Sequence, residues 1–101
     1  FAKTWGIEEY TDNFDRVLDK DITTVHICTP PTLHYEMVKK VILAGKHVIC
    51  EKPFCLKASE ARELLELSKE KGTITAVNFN VRYLAIAFDR RSCHPNLEMY
   101  T

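Results

Sequence analysis

Three short apolar runs constrain this chain more than anything else in it: "TTVHIC" (Thr23 to Cys28), "HVIC" (His47 to Cys50) and "ITAVNF" (Ile74 to Phe79). Each is rich in β-branched residues and lacks clean alternation, which fits strands buried on both faces. Between the first two, Leu33, Met37, Val38, Val41 and Ile42 recur at helical spacing. Thr32 is placed to cap that helix and Gly45 to close it. Between the second and third, Ser59 opens a helix with Ala61, Leu64, Leu65 and Ser68 along one face. Lys69, Lys71 and Gly72 mark its carboxyl end, in agreement with the helix dipole. Strand, helix, strand, helix, strand is a βαβαβ unit, whose right-handed crossovers give a parallel sheet. Upstream, Phe1 to Trp5 reads as the tail of a helix closed by Gly6. Ile7 to Tyr10 is a short extended link, and Thr11 or Asp12 caps a short helix through Phe14, Val17 and Leu18.

Composition narrows the function classes. Fourteen basic and fourteen acidic residues in 101 cancel, with no basic stripe for nucleic acid and no polybasic membrane patch. No apolar run approaches the roughly 20 residues of a membrane span, and no signal-peptide pattern is present. Cys28, Cys50, Cys55 and Cys93 form no CxxC pair, which reads as reduced thiols in a cytoplasmic protein. Beginning at Phe1, the chain reads as a piece of something longer.

In open parallel sheets, ligands sit beyond the carboxyl ends of the strands. Those ends are Thr29-Pro30, Glu51-Lys52-Pro53 and Asn78-Phe79-Asn80. Thr29 precedes a proline, so it is extended and its hydroxyl is free to face a cleft. Lys52 is a mobile positive charge with three donors. Glu51 beside it can hold it and keep it protonated, and a cis Lys52–Pro53 bond would turn the chain sharply. Such a lysine suits polarising a substrate hydroxyl or carbonyl oxygen, although most neighbouring Glu-Lys pairs are solvated and inert. His34 could bond back to a strand end, orient Lys52 or contact a ligand, and the first of these, as a capping or supporting histidine, is favoured. Arg82 is a candidate anion or substrate clamp, evenly weighed against an ordinary surface arginine. Cys55, just after the lysine turn, lacks a partner base. His26, Cys28, His34, His47, Cys50 and Cys55 show no structural-zinc spacing, and no metal is expected.

Taken together, "VHICTPPTLHYEMVKKVILAGKHVICEKPF" and its flanks, from about Gly6 to Tyr83, resemble the glucose–fructose oxidoreductase / inositol dehydrogenase / rhizopine catabolism family of NAD(P)-dependent oxidoreductases. The specific elements are Thr-Pro after a strand, His four residues beyond that proline, Ala-Gly-Lys-His-Val, and Glu-Lys-Pro. The resemblance implies the second part of a Rossmann domain. It implies that Thr29, Pro30 and His34 line the nicotinamide side of NAD or NADP. It further implies that Glu51 and Lys52 border nicotinamide and substrate, that Lys52 helps in catalysis, that Lys52–Pro53 is cis, and that Arg82 lies near the cofactor. The family's GxGxxG turn has no counterpart here: Gly6, Gly45 and Gly72 are the only glycines.

The expected fold is therefore α/β, a Rossmann-like parallel-sheet βαβαβ unit lacking the first βαβ of its dinucleotide-binding domain. Residues 1–83 form that partial domain, and 84–101 a tail or the truncated start of a substrate domain. The leading function is hydride transfer between NAD or NADP and a sugar, polyol or related hydroxy compound. The alternatives are a non-catalytic dinucleotide sensor on the same fold, or an inactive fragment. The expected partner is a small sugar or polyol, with no nucleic acid and no membrane, and the intact parent is expected to be a homo-oligomer. Pyrophosphate binding needs clustered backbone N–H groups at a glycine turn, and an open sheet edge recruits partners. Phe1 to Thr101 alone is thus expected to self-associate, swap elements or be marginally folded, and neither to bind NAD(P) usefully nor to turn over substrate. Titration calorimetry beside size-exclusion chromatography tests this, and micromolar binding by a monodisperse monomer would overturn it.

Overall fold

The computed structural model describes residues 1–79. A short helix α1 (Phe14–Leu18) leads into strand β1 (Thr24–Ile27). One 3-10 turn (Pro31–Leu33) and helix α2 (His34–Leu43) carry the chain to β2 (His47–Glu51). Helix α3 (Ala58–Lys71) then leads to β3 (Thr75–Asn78). The sheet has three strands in the order β1-β2-β3, all parallel. Ile27 sits opposite Cys50, and Glu51 opposite Asn78. This is the expected βαβαβ unit. No helix among the described residues is long and apolar enough to cross a membrane.

Both long helices bury side chains in the same core. Val38, Val41 and Ile42 of α2 and Leu64 of α3 meet Val25, Ile27, Val48 and Cys50 of the sheet. Residues alternate across a strand, so β1 buries Val25 and Ile27 while Thr24 and His26 stay exposed. In β2, Val48 and Cys50 are buried and Ile49 is 37% exposed. The expectation of strands buried on both faces is corrected here. Among the described residues one face is covered by α2 and α3, and the other is open.

The helix starts also differ from the expected ones. Two consecutive prolines suit the tight 3-10 turn, since proline has no N–H to place and its φ is fixed. Helix α2 therefore begins at His34, with Leu33 at its cap position and no side-chain cap. Thr32 and Leu33 fall within the 3-10 turn, and Leu33 is exposed. Lys57, not Ser59, precedes α3. Asn13 caps α1, accepting from the Asp15 N–H at 3.0 Å, while Thr11 accepts from the Asn13 N–H at 3.1 Å. Gly45 and Gly72 end their helices with φ of +74° and +67°, the left-handed region where glycine carries no Cβ penalty.

Polar side chains tie the elements together. The Lys46 ammonium donates to the carbonyls of Lys20 and Ile22 at 2.8 and 2.9 Å, fastening the α2–β2 turn to the segment entering β1. Buried Ser68 donates to the Thr73 carbonyl at 2.7 Å and accepts from Thr75 at 3.2 Å, fixing the passage from α3 into β3.

Leu64 and Leu65 provide a test of this packing, because both were expected on the core face. Leu64 is fully buried and Leu65 is 54% exposed. Leu64→Ala is expected to cost about 2–5 kcal/mol, and Leu65→Ala less than about 1 kcal/mol. Urea denaturation of the two variants checks the order, and equal losses would contradict the packing described.

Candidate functional site

The carboxyl ends of the three strands converge on one edge of the sheet, where the loop after β2 carries Glu51-Lys52-Pro53. The peptide bond between Lys52 and Pro53 is cis, as expected. The structure supplies a reason for the position of this loop that local sequence did not. His34, 1% exposed, places Nδ1 at 2.7 Å from the Pro53 carbonyl oxygen and Nε2 at 2.8 Å from the Thr29 carbonyl oxygen. Both partners are acceptors only. A neutral imidazole carries one N–H and can donate to one of them, whereas an imidazolium donates to both. The ring thereby joins the end of β1 to the turn after β2. No nitrogen of His34 is left for a ligand, and the side chain acts through the backbone it holds.

Glu51 does not clasp Lys52, as the sequence led us to expect. Its Oε1 accepts from the Asn78 side-chain amide at 2.8 Å and from His26 Nε2 at 3.1 Å. The reason is the strand's alternation, which sends neighbouring side chains to opposite faces. The Asn78 hydrogen bond foremost, with help from His26, holds the Glu51 carboxyl below its ordinary value against the opposing effect of burial. Lys52 remains exposed, with no ion pair among the described residues. It is a free cation on a turn whose next carbonyl is pinned.

Thr29 directs its hydroxyl to the Met37 sulfur at 3.3 Å, half-buried under α2, and not into an open cleft. Pro30 is exposed at the same edge, extended with φ −57° and ψ 146°. Burial pushes the Cys50 thiol up to about 11 and raises that of Cys55 as well, the opposite of an activated nucleophile. Arg82 and the boundary near residue 83 lie outside the described residues. An open concavity lined by residues including Glu9, Tyr10, Arg16 and Lys20 touches none of these strand ends.

Sequence spacing missed one grouping altogether. A nitrogen of His26, the Cys28 sulfur and a Glu51 oxygen all lie within 4.8 Å of one another. His26 and Cys28 lie two residues apart along one strand and its end, and so share a face. The third donor comes from the neighbouring strand, and the sheet register alone reveals it: Ile27 pairs with Cys50, so Cys28 comes level with Glu51. Asn78 enters the site by the same logic, opposite Glu51 in β3.

The Glu51 environment has a measurable consequence. A carboxyl depressed in the folded state contributes stability above its unfolded value, and this is lost as pH falls through the folded value. By carbon-detected NMR titration, Glu51 is expected to titrate below the ordinary 4.5, and Asn78→Ala to move it upward. A wild-type value at or above 4.5 would contradict the arrangement.

Comparison with known proteins identifies the family of the chain. Residues 1–79 match the family described as "Oxidoreductase family, NAD-binding Rossmann fold". The chain is 37% identical over 86 residues to 1,5-anhydro-D-fructose reductase of Ensifer adhaerens, covering 84% of this chain and 26% of that protein. A crystal structure of an oxidoreductase from Bacillus cereus superposes with a TM-score of 0.75 at 47% identity, over 81% of this chain and 24% of the other. Levoglucosan dehydrogenase in complex with NADH and levoglucosan superposes with a TM-score of 0.73 at 36% identity, over 80% and 22%. The chain spans about a quarter of the length of the curated relatives it matches. On the family match and on a strand-end geometry that agrees with it, this chain belongs to the glucose–fructose oxidoreductase / inositol dehydrogenase / rhizopine catabolism family of NAD-binding Rossmann-fold oxidoreductases.

Proposed function

We propose that this chain is the nicotinamide-facing part of an oxidoreductase that transfers a hydride between NAD(P) and a carbinol carbon of a sugar, polyol or related hydroxy compound. The observation that carries the reading is Lys52: an exposed ammonium with no ion pair among the described residues, at the carboxyl edge of a parallel sheet, on a turn held by the buried His34 ring. The residues present suit the nicotinamide end of such a cofactor, with exposed Pro30 and Lys52 and half-buried Thr29 at one edge. The closely spaced amides that a pyrophosphate needs are not among these residues, because no two of the three glycines lie near each other.

A bound nicotinamide would supply the hydride acceptor or donor. Lys52 donates a hydrogen bond to the substrate oxygen. In the reducing direction it stabilises the negative charge that develops there and supplies the proton. In the oxidising direction the deprotonated Lys52 amine accepts the hydroxyl proton as the hydride leaves the carbinol carbon, and then passes that proton to solvent. Glu51 borders the same space, oriented by Asn78. His34 is a positioning residue, since its contacts are to the backbone on either side of the site. Arg82, near the cofactor by the family resemblance, belongs to the same proposal. The sugar or polyol class is supported by relatives that act on levoglucosan and 1,5-anhydro-D-fructose. Among the described residues the thiols of Cys28, Cys50 and Cys55 form no disulfide, which supports a reducing, cytoplasmic setting.

The test is Lys52→Ala in the intact protein, assayed with NAD and NADP against a panel of sugars and polyols. It is expected to lower kcat by about 10²–10⁴-fold, with thermal unfolding essentially unchanged because the side chain is exposed. An unchanged kcat on the preferred substrate would remove Lys52 from the chemistry.

A further inference from the structure

We propose that His26, Cys28 and Glu51 form a binding site for a divalent transition metal, with zinc the best fit. It lies on the open face of the sheet at the carboxyl ends of β1 and β2. One imidazole nitrogen, one thiol sulfur and one carboxylate oxygen lie within 4.8 Å of one another. That mixed N, S and O set is the one zinc accepts, whereas magnesium or calcium would want oxygen alone. Ligands bound to a tetrahedral zinc stand about 2.0–2.3 Å from the ion, and so roughly 3.3–3.8 Å from one another. His26 Nε2 and Glu51 Oε1 are 3.1 Å apart, close to that spacing. A small rotation of the exposed Cys28 side chain completes three vertices, and the fourth is left for water. Three protein donors and one open position is a familiar zinc arrangement.

Two features of the surroundings favour the site. Asn78 donates to the same Glu51 oxygen at 2.8 Å, so the carboxylate is oriented by a neighbour before any ion arrives, as supporting residues of metal sites do. His26 and Cys28 are exposed and Glu51 is half-buried, which leaves the ion an entry path. The other described thiols are unsuited: Cys50 is buried on the opposite face of β2, and burial raises the thiol of Cys55. The proposal shares Glu51 with the oxidoreductase reading but rests on the donor geometry alone, and its test needs neither cofactor nor substrate.

The experiment is an anaerobic cobalt(II) titration of the full chain under reducing conditions, followed by displacement with zinc. One equivalent of cobalt is expected to produce a thiolate-to-cobalt charge-transfer band in the near ultraviolet, and zinc to abolish it. Cys28→Ser and Cys28→Ala should both lack the band, with circular dichroism unchanged because the side chain is exposed. His26→Ala and Glu51→Gln should each weaken zinc binding at least about 10-fold. Cys55→Ser and Cys93→Ser should keep the band. Absence of a band at one equivalent, its survival in either Cys28 variant, or its loss in Cys55→Ser or Cys93→Ser would overturn the proposal. The titration involves neither cofactor nor Lys52, so failure here and failure of the hydride-transfer reading are separable.

Discussion

The buried ring of His34 holds the carboxyl ends of β1 and β2 in one place, and the edge of the sheet depends on it. Parallel strands share no hairpin, and each end is followed by a loop that must be placed by something other than the ladder. Here the carbonyls of Thr29 and Pro53, separated by most of a βαβ unit, converge on a single imidazole at 2.8 and 2.7 Å. A backbone carbonyl buried without a donor costs on the order of 1–3 kcal/mol. Removing the ring would therefore do more than leave a cavity: it would release the Thr29 turn and the Lys52–Pro53 turn from each other. The role proposed for the Lys52 ammonium depends on that turn being fixed.

A second constraint is the one-sided core. With α2 and α3 packed on the same face, the sheet sorts its residues by parity. Val25, Ile27, Val48 and Cys50 go to the core, while His26, Ile49 and Glu51 go to the open face. The polar cluster and the hydrophobic core are thus made from the same strands. Lys46 and Ser68 reinforce this by anchoring the two turns that set where β2 and β3 begin.

Much of this was legible in the residues. Element type and order followed from β-branched runs set between helical spacings, and Gly45 and Gly72 marked both long helices' ends. The caps were less legible. Thr32 and Ser59 have the right chemistry for capping, but Pro30-Pro31 imposed a 3-10 turn and Lys57 took the position before α3. The two-sided burial expected from unbroken apolar runs failed because a short run of Val, Ile and Cys looks the same whether one face or both are covered. At the site, Lys52 and the cis proline stood out through the family motif. The partners of Glu51 did not, because adjacency in sequence favoured Lys52 while the pleat turned the carboxylate toward His26 and Asn78. His34 was recognised as a residue that could reach a strand end, but its second contact, to the Pro53 carbonyl, depends on a loop conformation that no spacing rule encodes.

The register of β2 carries a consequence for how this segment tolerates change. The ends of β1 and β2 each step from a core residue to a site residue in a single position: Ile27 to Cys28 and Cys50 to Glu51. A one-residue insertion or deletion in the turn between α2 and β2, if absorbed by sliding the strand, would exchange the two faces and carry a carboxylate into the apolar interior. The penalty for burying that charge is severe. Length in the Ala44–Lys46 turn is therefore policed by folding itself, and the alignment of the site is inherited from the hydrophobic core at no separate cost.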